Sequence, residues 1–141
     1  MEILVDTNVI LDALTSRAPW NKYAEQIFIL AANRQVDMYL TASSATDIYY
    51  LLRKHLHSTD AAKQVLGKLY SLAGILDVNS ADCIDALASP ISDYEDAVVE
   101  RVASRKGMDY IVTRNMKDYQ AGDARVISPD DFARMMAESQ S

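Results

Sequence analysis

Ile3-Leu4-Val5-Asp6-Thr7-Asn8 is the stretch on which the reading of this chain turns. Three apolar residues, two of them β-branched, run without a polar interruption into an acid. A run of that kind reads as a strand buried on both faces of a sheet, not as a half-exposed strand that alternates. Asp6 then stands at the strand's carboxyl end, where open α/β sheets gather their ligands.

Working outward, apolar residues recur at helical spacing over residues 9–14, until Arg17-Ala18-Pro19-Trp20 breaks the pattern. A longer helix is expected over residues 20–33, with Ala24, Ile27, Phe28 and Ala31 on one face. Strands follow at 38–41, 75–78, 110–113 and, at an edge, 125–127, with helices between them at 44–55, 60–73, 81–88 and from Asp93 to just before Gly107. Gly74 is expected as the C-terminal cap of the 60–73 helix. Ser128-Pro129-Asp130-Asp131 opens a last helix with a cap, a first-turn proline and two acids, and that helix buries Phe132, Met135 and Met136. Strands that alternate with helices predict a three-layer α/β/α sandwich around a parallel sheet of four to five strands, with right-handed crossovers. The 141 residues suit a single domain with a core of its own.

That map brings the acids to one edge. Asp6 follows the first strand; Asp47 lies in the first turn of the helix after the second; Asp93 and Asp96 open the helix beyond the third; Asn115 and Asp118 follow the fourth. Carboxylates gathered in one pocket stay ionised together only when cations compensate them. Hard oxygen donors that keep some solvent suit Mg²⁺ or Mn²⁺, ions that promote in-line phosphoryl displacement. The same residues also look like helix caps, in Ser44-x-x-Asp47, Asp93-x-x-Asp96 and Asn115-x-x-Asp118. The two roles are compatible, because a helix N-terminus favours a carboxylate in its ionised form.

Charge and cysteine content narrow the field. A net charge of −6 argues against a protein that coats nucleic acid through a broad basic surface, but it permits a pocket that meets phosphate through metal ions. The single cysteine, Cys83, excludes an intrachain disulfide, suits a reducing cytoplasm, and is read as a small core residue. The N-terminus lacks the basic and apolar regions of a signal peptide, and the apolar stretch at 27–32 is too short to span a bilayer.

The ordered set of acidic motifs resembles the PIN-domain nucleases, including the VapC-like toxins of toxin–antitoxin pairs, over nearly the whole chain. Ile3-Leu4-Val5-Asp6-Thr7-Asn8 looks like the family's first motif. Residues 41–50 look like the second, with Asp47 where most members carry Glu. Asp93-Tyr94-Glu95-Asp96-Ala97 is similar to the third, and Thr113-Arg114-Asn115 followed by Asp118-Tyr119 to the fourth. The resemblance implies Mg²⁺- or Mn²⁺-dependent hydrolysis of RNA phosphodiesters, with Asp6 and Asp96 as central metal ligands. It implies Asp47 as a further ligand or as holder of a metal-bound water, and Asn115 or Asp118 to complete the site. Asn115 stands where many members have Asp. Asn8, Asp93 and Thr113 take supporting positions. A homodimer and an inhibitory antitoxin are implied as partners.

Other residues have plainer expectations. Arg114 is the best placed of Arg17, Lys54, Arg114 and Lys117 to contact a substrate phosphate. His55 and His57 suit the negative end of a helix, and Tyr49, Tyr50 and Trp20 are read as packing residues before base-stacking ones. Two other functions stay open. A catalytically inert PIN fold would bind a partner and cut nothing. A phospho-receiver would need paired acids after the first strand, where Asp6 stands alone. A haloacid-type phosphatase would need a second Asp at position 8, which is Asn8.

Overall fold

In the computed structural model, which describes residues 1–139, the opening apolar run forms β1 (Glu2–Val5) at the centre of a parallel sheet. The other strands are β2 (Asp37–Thr41), β3 (Gly74–Leu76), β4 (Tyr110–Val112) and β5 (Val126–Ile127), in the order β3-β2-β1-β4-β5. Leu4 lies opposite Tyr39 on β2 and Ile111 on β4, and Val5 lies opposite Val112. Strand order reverses between β1 and β4, so a crevice opens beyond their carboxyl ends, beside Asp6 and Thr113. This order differs from the 2-1-3-4-5 order of flavodoxin-like folds, the architecture a receiver would share. Only the short strands β3 and β5 face outward at the edges, which leaves little backbone to template a neighbour.

Among the described residues, seven helices cover the sheet: α1 (Thr7–Leu14), α2 (Asn21–Ala32), α3 (Ala42–Leu56), α4 (Thr59–Leu72), α5 (Ser80–Ala86), α6 (Tyr94–Arg105) and α7 (Pro129–Ser139). The two-residue period of a strand divides β1 between them. Ile3 and Val5 join Ile10, Ile27, Ile48, Leu69 and Phe132 on the face covered by α1 to α4 and α7. Leu4 joins Ile111, Ala86, Val98 and Val102 on the face covered by α5 and α6. The three-layer sandwich is therefore the one expected. Ile3, Leu4 and Val5 are essentially inaccessible to solvent, and each buried side chain contributes about 1.5–3 kcal/mol. Among the described residues, no helix is long and apolar enough to cross a membrane.

Three local expectations change. α3 starts at Ala42, because Thr41 caps it by accepting the Ser44 N–H at 3.1 Å. Ser44 is thus inside the helix, and Asp47 falls in its second turn. Gly74 is not a cap: Ala73 ends α4 in an extended conformation and Gly74 opens β3. Glycine is needed there because a Cβ would come within 2.7 Å of the Tyr39 ring. Cys83 is half-buried on α5 and not in the core. His57 does end α3, in the left-handed conformation with φ 55°.

Candidate active site

Asp6 leaves β1 with its backbone N–H bonded to the Val112 carbonyl at 3.0 Å, so its carboxyl is set at the seam between β1 and β4. One oxygen caps α1 by accepting the Thr7 N–H at 2.9 Å. The other accepts the Thr113 hydroxyl at 2.8 Å and the Asn8 amide at 3.5 Å. Thr113 is itself oriented, since its hydroxyl accepts the Asn115 N–H at 3.1 Å. Burial raises the Asp6 pKa, and the nearby Asp118 charge raises it further, against the lowering effect of these donors.

Asp96 arrives from α6, on the opposite layer. Asp93 caps that helix by accepting the Asp96 N–H at 3.0 Å, so its cap role is real. Burial pushes the Asp96 carboxyl up to about 6, helped by the charges of Asp93, Asp6 and Asp118. The Tyr119 hydroxyl donates to Asp96 at 3.2 Å and acts against that rise. Tyr119 closes a 3₁₀ turn, Met116–Tyr119, and is 1% exposed. Burial between Asp6 and Asp96 drives its own pKa upward, so it remains a donor.

The sign of the pH dependence follows. A carboxyl raised in the folded state adds stability at low pH and loses it as pH climbs through the raised value. The metal-free protein is therefore expected to lose thermal stability through Asp96 as pH climbs from its ordinary 3.8 to about 6, with a midpoint at about 5 and a plateau above. Tyr119→Phe removes the hydroxyl that favours the ionised form and should move that midpoint upward. Melting temperatures of wild type, Tyr119→Phe and an Asp96→Asn control test this; a midpoint that Tyr119→Phe leaves in place contradicts the assignment.

Asp6 and Asp118 thus both act on Asp96, and Asp118 acts on Asp6, with Asp93, Thr113 and Asn8 in support. Among the described residues, no three His, Cys, Asp or Glu groups close into a ready-made metal cage. Mg²⁺ does not require one, because it keeps several waters and takes one or two carboxylates plus substrate phosphate. The hard oxygen donors, their repulsion, and the buried Asn8 Oδ1, which has no hydrogen-bond partner among the described residues, all fit such an ion.

The remaining sequence candidates sit differently. Asp47 is exposed on α3, and Asn115 and Asp118 are exposed after β4. Asn115 precedes the 3₁₀ turn without a side-chain cap, so its capping pattern is not used. Arg114 turns away to Asp12 of α1. Its Nε donates to Asp12 Oδ2 at 2.7 Å and its Nη2 to Oδ1 at 3.3 Å, while Arg17 approaches Oδ1 to 3.6 Å. The Arg114 guanidinium also lies 4.2 Å from the Trp20 ring centroid. Its first duty is to neutralise a carboxylate that is 1% exposed.

Two residues escaped the sequence reading. Tyr119 was visible only as the neighbour of Asp118, and nothing in its spacing points to Asp96. Asp12 carried one signal, an acid flanked by Leu11 and Ala13 on an apolar helix, which calls for a buried cationic partner.

Comparison with known proteins agrees with this fold. Ribonuclease VapC1 of Aquifex aeolicus is 27% identical over 140 residues, covering 93% of this chain and 92% of that protein. The VapBC2 structure from Rickettsia felis, bound to a promoter DNA fragment, superposes with a TM-score of 0.68 at 15% identity, covering 91% of this chain and 98% of that one. DNA-bound VapBC from Salmonella typhimurium gives 0.68 at 17% identity, covering 92% and 98%. The family model for the PIN domain matches residues 2–117, from the strand that delivers Asp6 through β4 to the residue just before Asp118, and the chain belongs to the PIN domain family.

Proposed function

We propose that this chain is a Mg²⁺- or Mn²⁺-dependent endoribonuclease. The observation that carries the reading is the convergence of Asp6, from the end of β1, and Asp96, from α6, onto one crevice, where the Asp6 charge helps raise the Asp96 pKa. A hydrolytic site for a polyanion needs such repulsion to be relieved by a cation. The bound ion supplies charge neutralisation and water activation for phosphodiester hydrolysis.

Asp6 and Asp96 would hold the ion. Thr113 and Asn8 keep the Asp6 carboxyl aligned through the bonds described above, and Tyr119 does the same for Asp96. Asp118 adds negative charge at the rim and is the next candidate ligand. Asp47 and Asn115 are both exposed, so in this reading they take outer roles, Asp47 as holder of a water and not as an enclosing ligand. Asp93 serves by fixing the first turn of α6.

RNA as substrate follows the similarity to a ribonuclease. The solved toxin–antitoxin complexes of the same fold support an antitoxin as partner and a toxin role for this chain. Exposed apolar side chains such as Tyr50 on α3 and Leu87 beyond α5 suit a homodimer, and the absence of a disulfide suits a cytoplasmic setting.

The test is metal removal with a circular RNA, which has no ends for an exonuclease. The wild-type chain is expected to linearise it in Mn²⁺ or Mg²⁺, to stop in EDTA, and to resume when Mn²⁺ is restored in excess. Cleavage that persists in EDTA would refute metal dependence. An RNA left intact with either ion would favour an inert PIN fold.

A further inference from the structure

A second concavity lies beside the acidic centre. Trp20, Tyr23, Arg114, Ser128 and Asp130 line a cleft of about 330 Å³. We propose that this cleft takes one unpaired nucleobase of the RNA, stacked on Trp20, and so sets which base lies next to the cut. The inference rests on the ribonuclease reading and deepens it.

Position is the first argument. Arg114 directly follows Thr113, whose hydroxyl holds Asp6, and Ser128 directly follows β5. The cleft therefore opens on the same carboxyl edge of the sheet as Asp6. Its volume is at the lower end of small-ligand sites, a size that suits one base with part of its sugar.

Rigidity is the second argument. Trp20 is 45% exposed, which is unusual for so large an aromatic, yet it is not loose. The Arg114 guanidinium braces it at 4.2 Å, and buried Asp12 braces Arg114 in turn. A held aromatic face is the platform on which single-stranded bases stack. Arg17 and Lys22 flank the ring along the chain and bring positive charge to an otherwise acidic protein. That combination suits a base with phosphates on either side better than it suits a protein side chain.

Chemistry at the rim adds selectivity. Ser128 holds the Asp130 carboxyl below the usual carboxylate range, so Asp130 is an acceptor only. An acceptor at the edge of a stacked base favours cytosine or adenine, which carry an exocyclic amino donor, over uracil.

Trp20 is the chain's single tryptophan, so its emission reports on the cleft directly. Wild-type protein in EDTA is titrated with single-stranded RNA hexamers of cytidine, adenosine or uridine. Saturable quenching is expected, weakest with uridine. In Mn²⁺, Trp20→Ala should raise the KM for cleavage about tenfold with little change in kcat, and Trp20→Phe should recover most of it. Hexamers that bind and are cut without altering the emission, with Trp20→Ala at wild-type KM, would overturn the cleft assignment and leave the ribonuclease reading standing. Hexamers that neither bind nor are cut would overturn both.

Discussion

Asp96→Asn is expected to lower metal-dependent RNA cleavage by on the order of a thousandfold while the protein stays folded. Asparagine keeps the shape of the side chain and can still accept the Tyr119 hydroxyl, now 3.2 Å away. What it loses is the negative charge that would hold the ion. The substitution also relieves the burial and repulsion that push Asp96 up to about 6. The metal-free variant should therefore melt no lower than wild type at pH 7. Asp6→Asn is expected to behave in the same way, because Asn also caps a helix well and can still accept the Thr7 N–H and the Thr113 hydroxyl. Calorimetric titration with Mn²⁺ should show saturable binding to wild type and none to either variant. If both variants cut RNA at the wild-type rate, the acidic centre is not the active site.

Arg114→Ala should have the largest effect on stability, a loss of about 3 kcal/mol. Removing this arginine strands the Asp12 carboxylate, 1% exposed, with only Arg17 at 3.6 Å in partial compensation. Loss of one partner of a buried ion pair costs about 3–5 kcal/mol in general. The lower end applies here, because Arg114 itself keeps 22% of its side chain exposed. A change of that size lowers the melting temperature by roughly 10 °C in a domain of this length. Arg114→Lys should recover only part of it, since a point charge cannot reproduce two parallel bonds and the stack on Trp20. Arg17→Ala, where the arginine is 44% exposed and its contact is the longer one at 3.6 Å, should cost under about 1 kcal/mol while Arg114 still pairs with Asp12. A shift below about 2 °C for Arg114→Ala would mean that Asp12 finds another cation, and that Arg114 is freer to serve as a phosphate contact.

The two expectations separate what each part of the chain reveals. Ile3-Leu4-Val5-Asp6 was legible because strand burial and the position of an acid after a strand are local properties. Parallel polarity then carried every acid to the same edge without any distance being known. Boundaries moved where a competing cap existed: Thr41 took the role that Ser44 was expected to take, and that shifted Asp47 one turn deeper into α3. Gly74 was misread for a similar reason. A glycine after an apolar helical run suits a cap, but here the demand came from the Tyr39 ring on the neighbouring strand.

The sequence by itself determined the α/β layering, the PIN resemblance and the list of acids that meet at one sheet edge, because two- and 3.6-residue periods and strand polarity act through near neighbours in the chain. Only the tertiary structure decided how those side chains are divided. It set Tyr119 on Asp96 across 23 residues and Thr113 on Asp6 across 107. It left Asp47 in solvent, and it drew Arg114 across 102 residues to the buried Asp12. Such choices depend on which layers the sheet brings into contact and on the cost of leaving a buried charge unpaired, and no local pattern in the chain encodes either.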